Sequence, residues 1–275
     1  ILWTFLHQTA DLIGKLDESV AVYHCVDDWP ALLPMAGMGK PERICKDEKK
    51  LISRVDLVFR VSAQLLNYLK IPNTKVFDIP NGVDIDLFNP ERFSDESSQD
   101  DMKDIPRPII GFSGSIGKWI DIELLIQVSK RFEKESIVII GLNEKNPNIH
   151  KLQQLKNVHF LGFRDDVIQW MINSDIFVTA SQVEGSPNSL IEAVCLGIPS
   201  IATDCPTGPK EILNNGDQGI LIPMNSEKHM VDAIRLLIED EDLRLKFINS
   251  SKITKARYSS ERIASLYLDA INSMN

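Results

Sequence analysis

The chain is short of positive charge: 30 lysines and arginines stand against 39 aspartates and glutamates, a formal net charge of -9 over 275 residues. A nucleic-acid partner needs a basic face to displace the counterions of its phosphates, and the overall field here has the wrong sign for one. Cysteine is scarce too. Cys25, Cys45, Cys195 and Cys205 make no C-x-x-C pair, and the five histidines make no H-E-x-x-H, so the sequence spells out neither a zinc site nor a disulfide framework. A reducing, cytoplasmic setting fits that cysteine usage best. Long apolar runs are also missing. The opening Ile1-Leu2-Trp3-Thr4-Phe5-Leu6 is too short to span a bilayer and has no basic segment before it. With 43% hydrophobic and 25% charged residues and no low-complexity tract, the chain has the proportions of a folded protein, long enough for two modest domains.

What is present is an alternation. Short β-branched runs recur between segments of helical period, the pattern of a parallel sheet with helices on both faces, so the fold class is α/β. In the first stretch strands are predicted over 20–25, 56–61 and 75–79, with helices over about 42–54 and 64–69. That is only part of a doubly wound sheet, so residues 1–92 are expected to be the later portion of a Rossmann-like domain. Residues 93–107 turn acidic through Ser94-Asp95-Glu96-Ser97-Ser98-Gln99-Asp100-Asp101 and then meet Pro106, a linker signal. Over 108–257, strands predicted at 108–112, 136–141, 158–161, 176–180, 200–202 and 219–222 alternate with helices, a complete second Rossmann-like domain. Residues 258–275 hold an amphipathic helix with Ile263, Leu266, Tyr267 and Ile271 on one face, expected to pack back on the first domain.

One stretch runs against the acidic balance. Lys40, Arg43, Lys46, Lys49, Lys50 and Arg54 crowd a single helix, interleaved with Glu42, Asp47 and Glu48. It reads first as a solvated face. The second reading is a peripheral contact with anionic lipid at the inner face of the plasma membrane.

The most informative segment is Ser181-Gln182-Val183-Glu184-Gly185-Ser186-Pro187-Asn188-Ser189-Leu190-Ile191-Glu192-Ala193, which follows a strand and opens a helix. Gly185, Ser186 and Pro187 shape a tight loop, and Asn188 or Ser189 can cap the helix. Its unpaired N–H groups and positive end would then face the strand tips, a geometry that suits a diphosphate. Glu184 lies in that loop and Glu192 about one turn inside the helix. Carboxylates placed there can accept hydrogen bonds from sugar or ribose hydroxyls.

This segment resembles the Glu-x7-Glu motif of family-four retaining glycosyltransferases, which share the two-domain GT-B fold. The likeness continues through Ile79-Pro80-Asn81-Gly82-Val83-Asp84, similar to a segment that closes the family's first domain, and through Phe160-Leu161-Gly162-Phe163-Arg164-Asp165-Asp166-Val167, similar to its base-holding loop. The resemblance implies a transferase that moves a sugar from a nucleoside-diphosphate donor, UDP-linked in the first instance, to a glycan or lipid-linked acceptor with retention of configuration. It implies no metal or other cofactor. Glu184 would meet the donor sugar, Glu192 the ribose, and Phe163 and Arg164 the base.

Two further loops belong to the donor side of this expectation. Phe112-Ser113-Gly114-Ser115-Ile116-Gly117-Lys118 is a glycine-rich turn after a strand, and Gly114, Ser115 and Lys118 are its candidates. The sequence departs from the family here. Ser115 takes a position the family often fills with a basic residue, and Lys118 comes earlier than the usual Lys-Gly. Thr203-Asp204-Cys205-Pro206-Thr207-Gly208-Pro209-Lys210 is a second strand-to-helix turn, contributing Thr207, Gly208 and Lys210, with Lys210 as a source of positive charge. On the acceptor side, Tyr23-His24-Cys25-Val26-Asp27-Asp28-Trp29 ends a strand of the first domain and resembles the same segment in bacterial polysaccharide glycosyltransferases. It supplies His24 and Asp28 as catalytic candidates beside Asp27, with a core histidine and a helix cap as the alternatives. A UDP-GlcNAc epimerase-like enzyme and a donor-binding module without activity stay open at this point.

Overall fold

The computed structural model describes residues 1–71, 75–93, 104–143 and 146–274, so most of the acidic linker, 94–103, lies outside the described residues. Among these the chain builds two all-parallel sheets. The first runs β1(Leu2–Thr4), β2(Ala21–Cys25), β3(Leu57–Arg60) and β4(Lys75–Asp78) in sequential order. The second contains β5(Ile109–Ser113), β6(Ser136–Ile140), β7(Val158–Gly162), β8(Ile176–Thr179), β9(Ser200–Thr203) and β10(Ile220–Ile222), in the order β10-β9-β8-β5-β6-β7. Chain order reverses between β5 and β8. In such sheets that reversal leaves a crevice at the carboxyl ends of the two strands, the ordinary ligand position.

The apolar runs explain the second sheet, since every residue of β6, Ser-Ile-Val-Ile-Ile, is buried, as strands covered on both faces require. Helices α3(Ile122–Arg131), α4(Ile149–Gln153), α8(Glu227–Glu239) and the start of α9(Glu241–Tyr258) close one face. α5(Val167–Ile172), α6(Asn188–Cys195) and α7(Pro209–Ile212) belong to the other. Caps fix where helices begin: Asp121 accepts from the Leu124 N–H at 2.9 Å, and Asp240 from the Leu243 N–H at 2.8 Å.

In the first sheet α1(Trp29–Met35) and α2(Pro41–Ile52) follow β2, and α2 buries Ile44, Glu48, Leu51 and Ile52. The Glu48 carboxylate, with no exposed surface, is met by the hydroxyls of Tyr23, at 2.6 Å, and Tyr68. The basic face of this helix is partly neutralised within the molecule, Lys50 and Arg54 by Asp11 and Arg43 by Asp47. β1 has no counterpart among the predicted strands. The helix predicted over 64–69 is replaced by turns because Leu66 adopts a positive φ of 65° and Arg60 Nη1 takes the Leu65 carbonyl at 2.8 Å.

The final helix α10(Ser260–Asn272) lays Ile263, Leu266, Tyr267 and Ile271 against Val22, Leu57, Phe59 and Ile79 of the first sheet. The crossing is pinned where Val83 N–H donates to the Tyr258 carbonyl at 2.7 Å and Ser260 N–H to the Val83 carbonyl at 3.0 Å. Packing changes hands along the Pro-Asn-Gly-Val stretch, since Ile79 belongs to the first core whereas Val83 and Phe88 pack with the second.

Candidate functional site

At the β5/β8 reversal the structure opens a cavity of about 360 Å³. Its floor is the strand ends, with Phe112, Ser113 and Thr179. One wall is the turn after β5, with Gly114, Ser115, Trp119 and Ile120, and the other is the start of α6, with Glu184, Pro187, Asn188, Ser189 and Glu192. The turn is tied over the end of β8 by the Gln182 N–H, which donates to the Trp119 carbonyl at 2.7 Å. Local sequence explains the shape. Pro187 stops the extended loop and α6 begins at the next residue, and among the described residues neither the Asn188 nor the Ser189 N–H finds an acceptor in the chain. Two unpaired amides at a helix start are an anion-binding feature.

Both glutamates reach this cavity, and among the described residues neither has a cationic partner. Glu184 Oε1 accepts from the Ser181 hydroxyl at 2.6 Å, and burial together with the neighbouring Asp27 charge pushes its carboxyl up to about 7. Burial alone carries Glu192 to about 7, and among the described residues its carboxylate has no hydrogen-bond partner. Among the described residues no basic side chain lines the cavity. Carboxylates without a cation, beside a helix start with free amides, divide the site into a part for hydroxyls and a part for negative charge.

The loop is braced from behind and from across the interface. Thr207 Oγ1 donates to the Glu184 carbonyl. Gly208, at φ 93°, sits so tightly under the loop that a Cβ would press on Pro187 Cδ at 2.7 Å. From the first sheet, Asn81 Nδ2 donates to the Ser186 carbonyl at 3.1 Å and to Asn188 Oδ1 at 2.8 Å. The Gly185 N–H donates to the Asp27 carboxylate, and a Cβ on Gly185 would overlap the Val26 carbonyl oxygen. Only glycine allows this approach. Ser62 and the Ala63 N–H both donate to Glu211 Oε1 at 3.0 Å, adding a second bridge between the halves.

The structure therefore gathers Gly114, Ser115, Glu184, Pro187, Asn188, Ser189 and Glu192 around one cavity, with Gly185, Ser186, Thr207 and Gly208 as its support. Others lie elsewhere. His24 is buried among Trp3, Phe5, Phe59 and Tyr267, with Nε2 3.0 Å from the Tyr267 hydroxyl, and burial lowers it to about 4. Asp28 is the N-cap of α1, accepting from the Ala31 N–H at 3.2 Å. For both, the structural alternative describes what the side chain does. Phe163 is 67% exposed at the end of edge strand β7, and Arg164 pairs with Asp166 and lies over the Trp170 ring. Lys118 and Lys210 are exposed and outside the cavity lining. The expectation missed Thr179, Trp119, Asn81 and the bond between Asp27 and Gly185. A hydroxyl ending the apolar run Ile176-Phe177-Val178 was a signal for the first. The other three depend on folds of the chain that no local pattern encodes.

A larger cavity, about 660 Å³, lies at the opposite end of the second sheet among Arg107, Asp175, Ile198 and Arg244. Its charged groups are already engaged, Arg107 with Asp175 at 2.6 Å and Arg244 with the Leu237 and Ile238 carbonyls. It also faces the amino ends of the strands, away from the reversal crevice. Among the described residues no group of three or more histidines, cysteines, aspartates or glutamates is placed to hold a metal, and no helix is long and apolar enough to cross a membrane.

A two-sheet α/β molecule with a polar cavity at the reversal of its second sheet is a GT-B architecture, and residues 93–254 match the family Glycosyl transferases group 1. That is more than half of the chain, and the protein belongs to this family. It is 34% identical over 138 residues to the N,N'-diacetylbacillosaminyl-diphospho-undecaprenol alpha-1,3-N-acetylgalactosaminyltransferase of Campylobacter jejuni, covering 50% of this chain and 36% of that protein. Over 165 residues it is 32% identical to the capsular polysaccharide biosynthesis glycosyltransferase CapM of Staphylococcus aureus, covering 56% and 43%. The chain thus spans less than half the length of either. In fold it is similar to Anabaena Alr3699/HepE solved with UDP, with a TM-score of 0.78, 22% identity and coverage of 92% of this chain and 72% of that one. The sucrose-phosphate synthase of Thermosynechococcus elongatus superposes with a TM-score of 0.80 at 19% identity, covering 99% and 73%.

Proposed function

We propose that this chain carries the donor site of a retaining glycosyltransferase that takes a nucleoside-diphosphate sugar, UDP-linked, and delivers the sugar to a hydroxyl of a glycan or lipid-linked acceptor. The observation that carries the reading is the pairing of Glu184 and Glu192 with the unpaired α6 amides around one cavity. The diphosphate lies at the amides, where helix polarity opposes its charge without a metal ion. It stays clear of the carboxylates, which would repel it. Glu192 accepts from the ribose and Glu184 from the sugar, fixing the anomeric carbon at the interface with the first sheet.

The acceptor hydroxyl approaches from that sheet beside Asp27, which replaces His24 and Asp28 as the acceptor-side group. Its oxygen bonds to the anomeric carbon as the bond to the diphosphate oxygen breaks, and its proton leaves with the diphosphate. Attack on the face the diphosphate departs from retains configuration. The acceptor chemistry is supported by one relative whose name gives a diphospho-undecaprenol-linked acceptor and another named for capsular polysaccharide biosynthesis. A thermal-shift panel of UDP, GDP, ADP and their sugars tests the reading. The expected outcome is stabilisation by UDP and by at least one UDP-sugar that Glu192→Ala abolishes. An unchanged midpoint with every compound would sink it.

A further inference from the structure

Strand β8 ends in a hydroxyl. Phe177 packs with Leu190, Ile191 and Val194 of α6, and Thr179, two residues further along, projects from the same face of the sheet. This brings its side chain beneath the start of α6, where it lines the cavity with Ser189 and Glu192. Thr179 is 3% exposed, and among the described residues Oγ1 has no hydrogen-bond partner.

Its neighbours make that exceptional. The hydroxyl at the equivalent end of β9, on Thr203, donates to the Ser181 carbonyl at 2.6 Å. Thr207 bonds the Glu184 carbonyl and Ser181 the Glu184 carboxylate. A buried hydroxyl left unpaired destabilises a fold, whereas a methyl in its place would pack at no such cost. The hydroxyl therefore makes sense as a group whose partner arrives with a ligand.

We propose that Thr179 is a ligand-binding residue whose hydroxyl donates a hydrogen bond to an oxygen of the nucleoside-diphosphate moiety held under the α6 amino terminus. The inference rests on the donor-site reading above. It adds to that reading a neutral donor on the cavity floor, in a site whose lining, among the described residues, has no basic side chain. A valine at this position keeps the shape and removes only the polar contact.

The test is calorimetric titration of UDP and UDP-glucose into the wild type, Thr179→Val and Thr179→Ser. Expected are roughly tenfold weaker binding of both ligands by the valine variant and near wild-type binding by the serine variant. The ligand-free Tm of Thr179→Val should be equal to or above that of the wild type. Should the valine variant fail to fold, Thr179→Ala reads the same loss. Binding by Thr179→Val within twofold of wild type overturns the inference, as does a loss confined to UDP-glucose, which would place the hydroxyl at the sugar. A wild type that binds neither ligand overturns the donor-site reading itself.

Discussion

Glu184 and Glu192 are held up to about 7 by burial, from an ordinary value of 4.5. A carboxyl whose folded value is raised keeps its proton longer in the native state. The native protein therefore binds more protons than the unfolded chain between about pH 4.5 and 7, and loses stability as pH rises through that window. Urea unfolding is expected to register a fall on the order of 3 kcal/mol per carboxyl across it, with Glu192→Gln removing about half of the total. Ligand binding has the opposite sense, since an ionised Glu192 is the stronger acceptor for a ribose hydroxyl. UDP-glucose should release part of a proton on binding at pH 6.5, seen as a buffer-dependent heat, and Glu192→Gln should reduce it to the share released by Glu184. Burial and the neighbouring Asp28 charge push Asp27 up to about 6, and the Asp27 charge in turn helps to raise Glu184. Asp27→Asn still accepts from Gly185 and should lower the Glu184 titration midpoint seen by carbon NMR. Asp28→Ala should instead cost about 0.5–2 kcal/mol of stability, as loss of a helix cap does.

At the scale of elements, two contacts set the geometry of the cleft. The turn between β8 and α6 touches the end of β2 with no room for a Cβ at Gly185. Gly185→Ala is expected to push the halves apart, and small-angle scattering should record a larger radius of gyration with stability little changed. Helix α10 belongs by packing to the first sheet although it follows the second in sequence, and burying Ile263 there joins the two halves. Ile263→Ala should cost about 2–5 kcal/mol in chemical unfolding. These elements also mark where local pattern was sufficient. Strands of the second sheet are dense β-branched runs, and period alone placed all six. β1 is three residues long and carries too little period to stand out. The turn at 64–69 has helical composition, but the Arg60 guanidinium claims the Leu65 carbonyl a helix would use. The Glu-x7-Glu segment was legible because loop, helix start and both carboxylates are contiguous. His24 and Asp28 mark the limit of such reading, because a strand end shows which residues are near a cleft and not which way each side chain turns.

For the whole molecule, the sheet order points to the β5/β8 end as the ordinary ligand position. The cavity at the β5/β8 reversal is the smaller of the two, yet it holds the unpaired amides, the two buried carboxylates and the orphaned Thr179 hydroxyl. The larger one has its charges paired by the protein itself. The most direct measurement is backbone hydrogen exchange with and without saturating UDP. Protection should appear at Asn188 and Ser189 and along the 113–115 turn, with no change around Arg107, Ile198 and Arg244. Protection at that opposite end, with the α6 amides unaltered, would contradict the account.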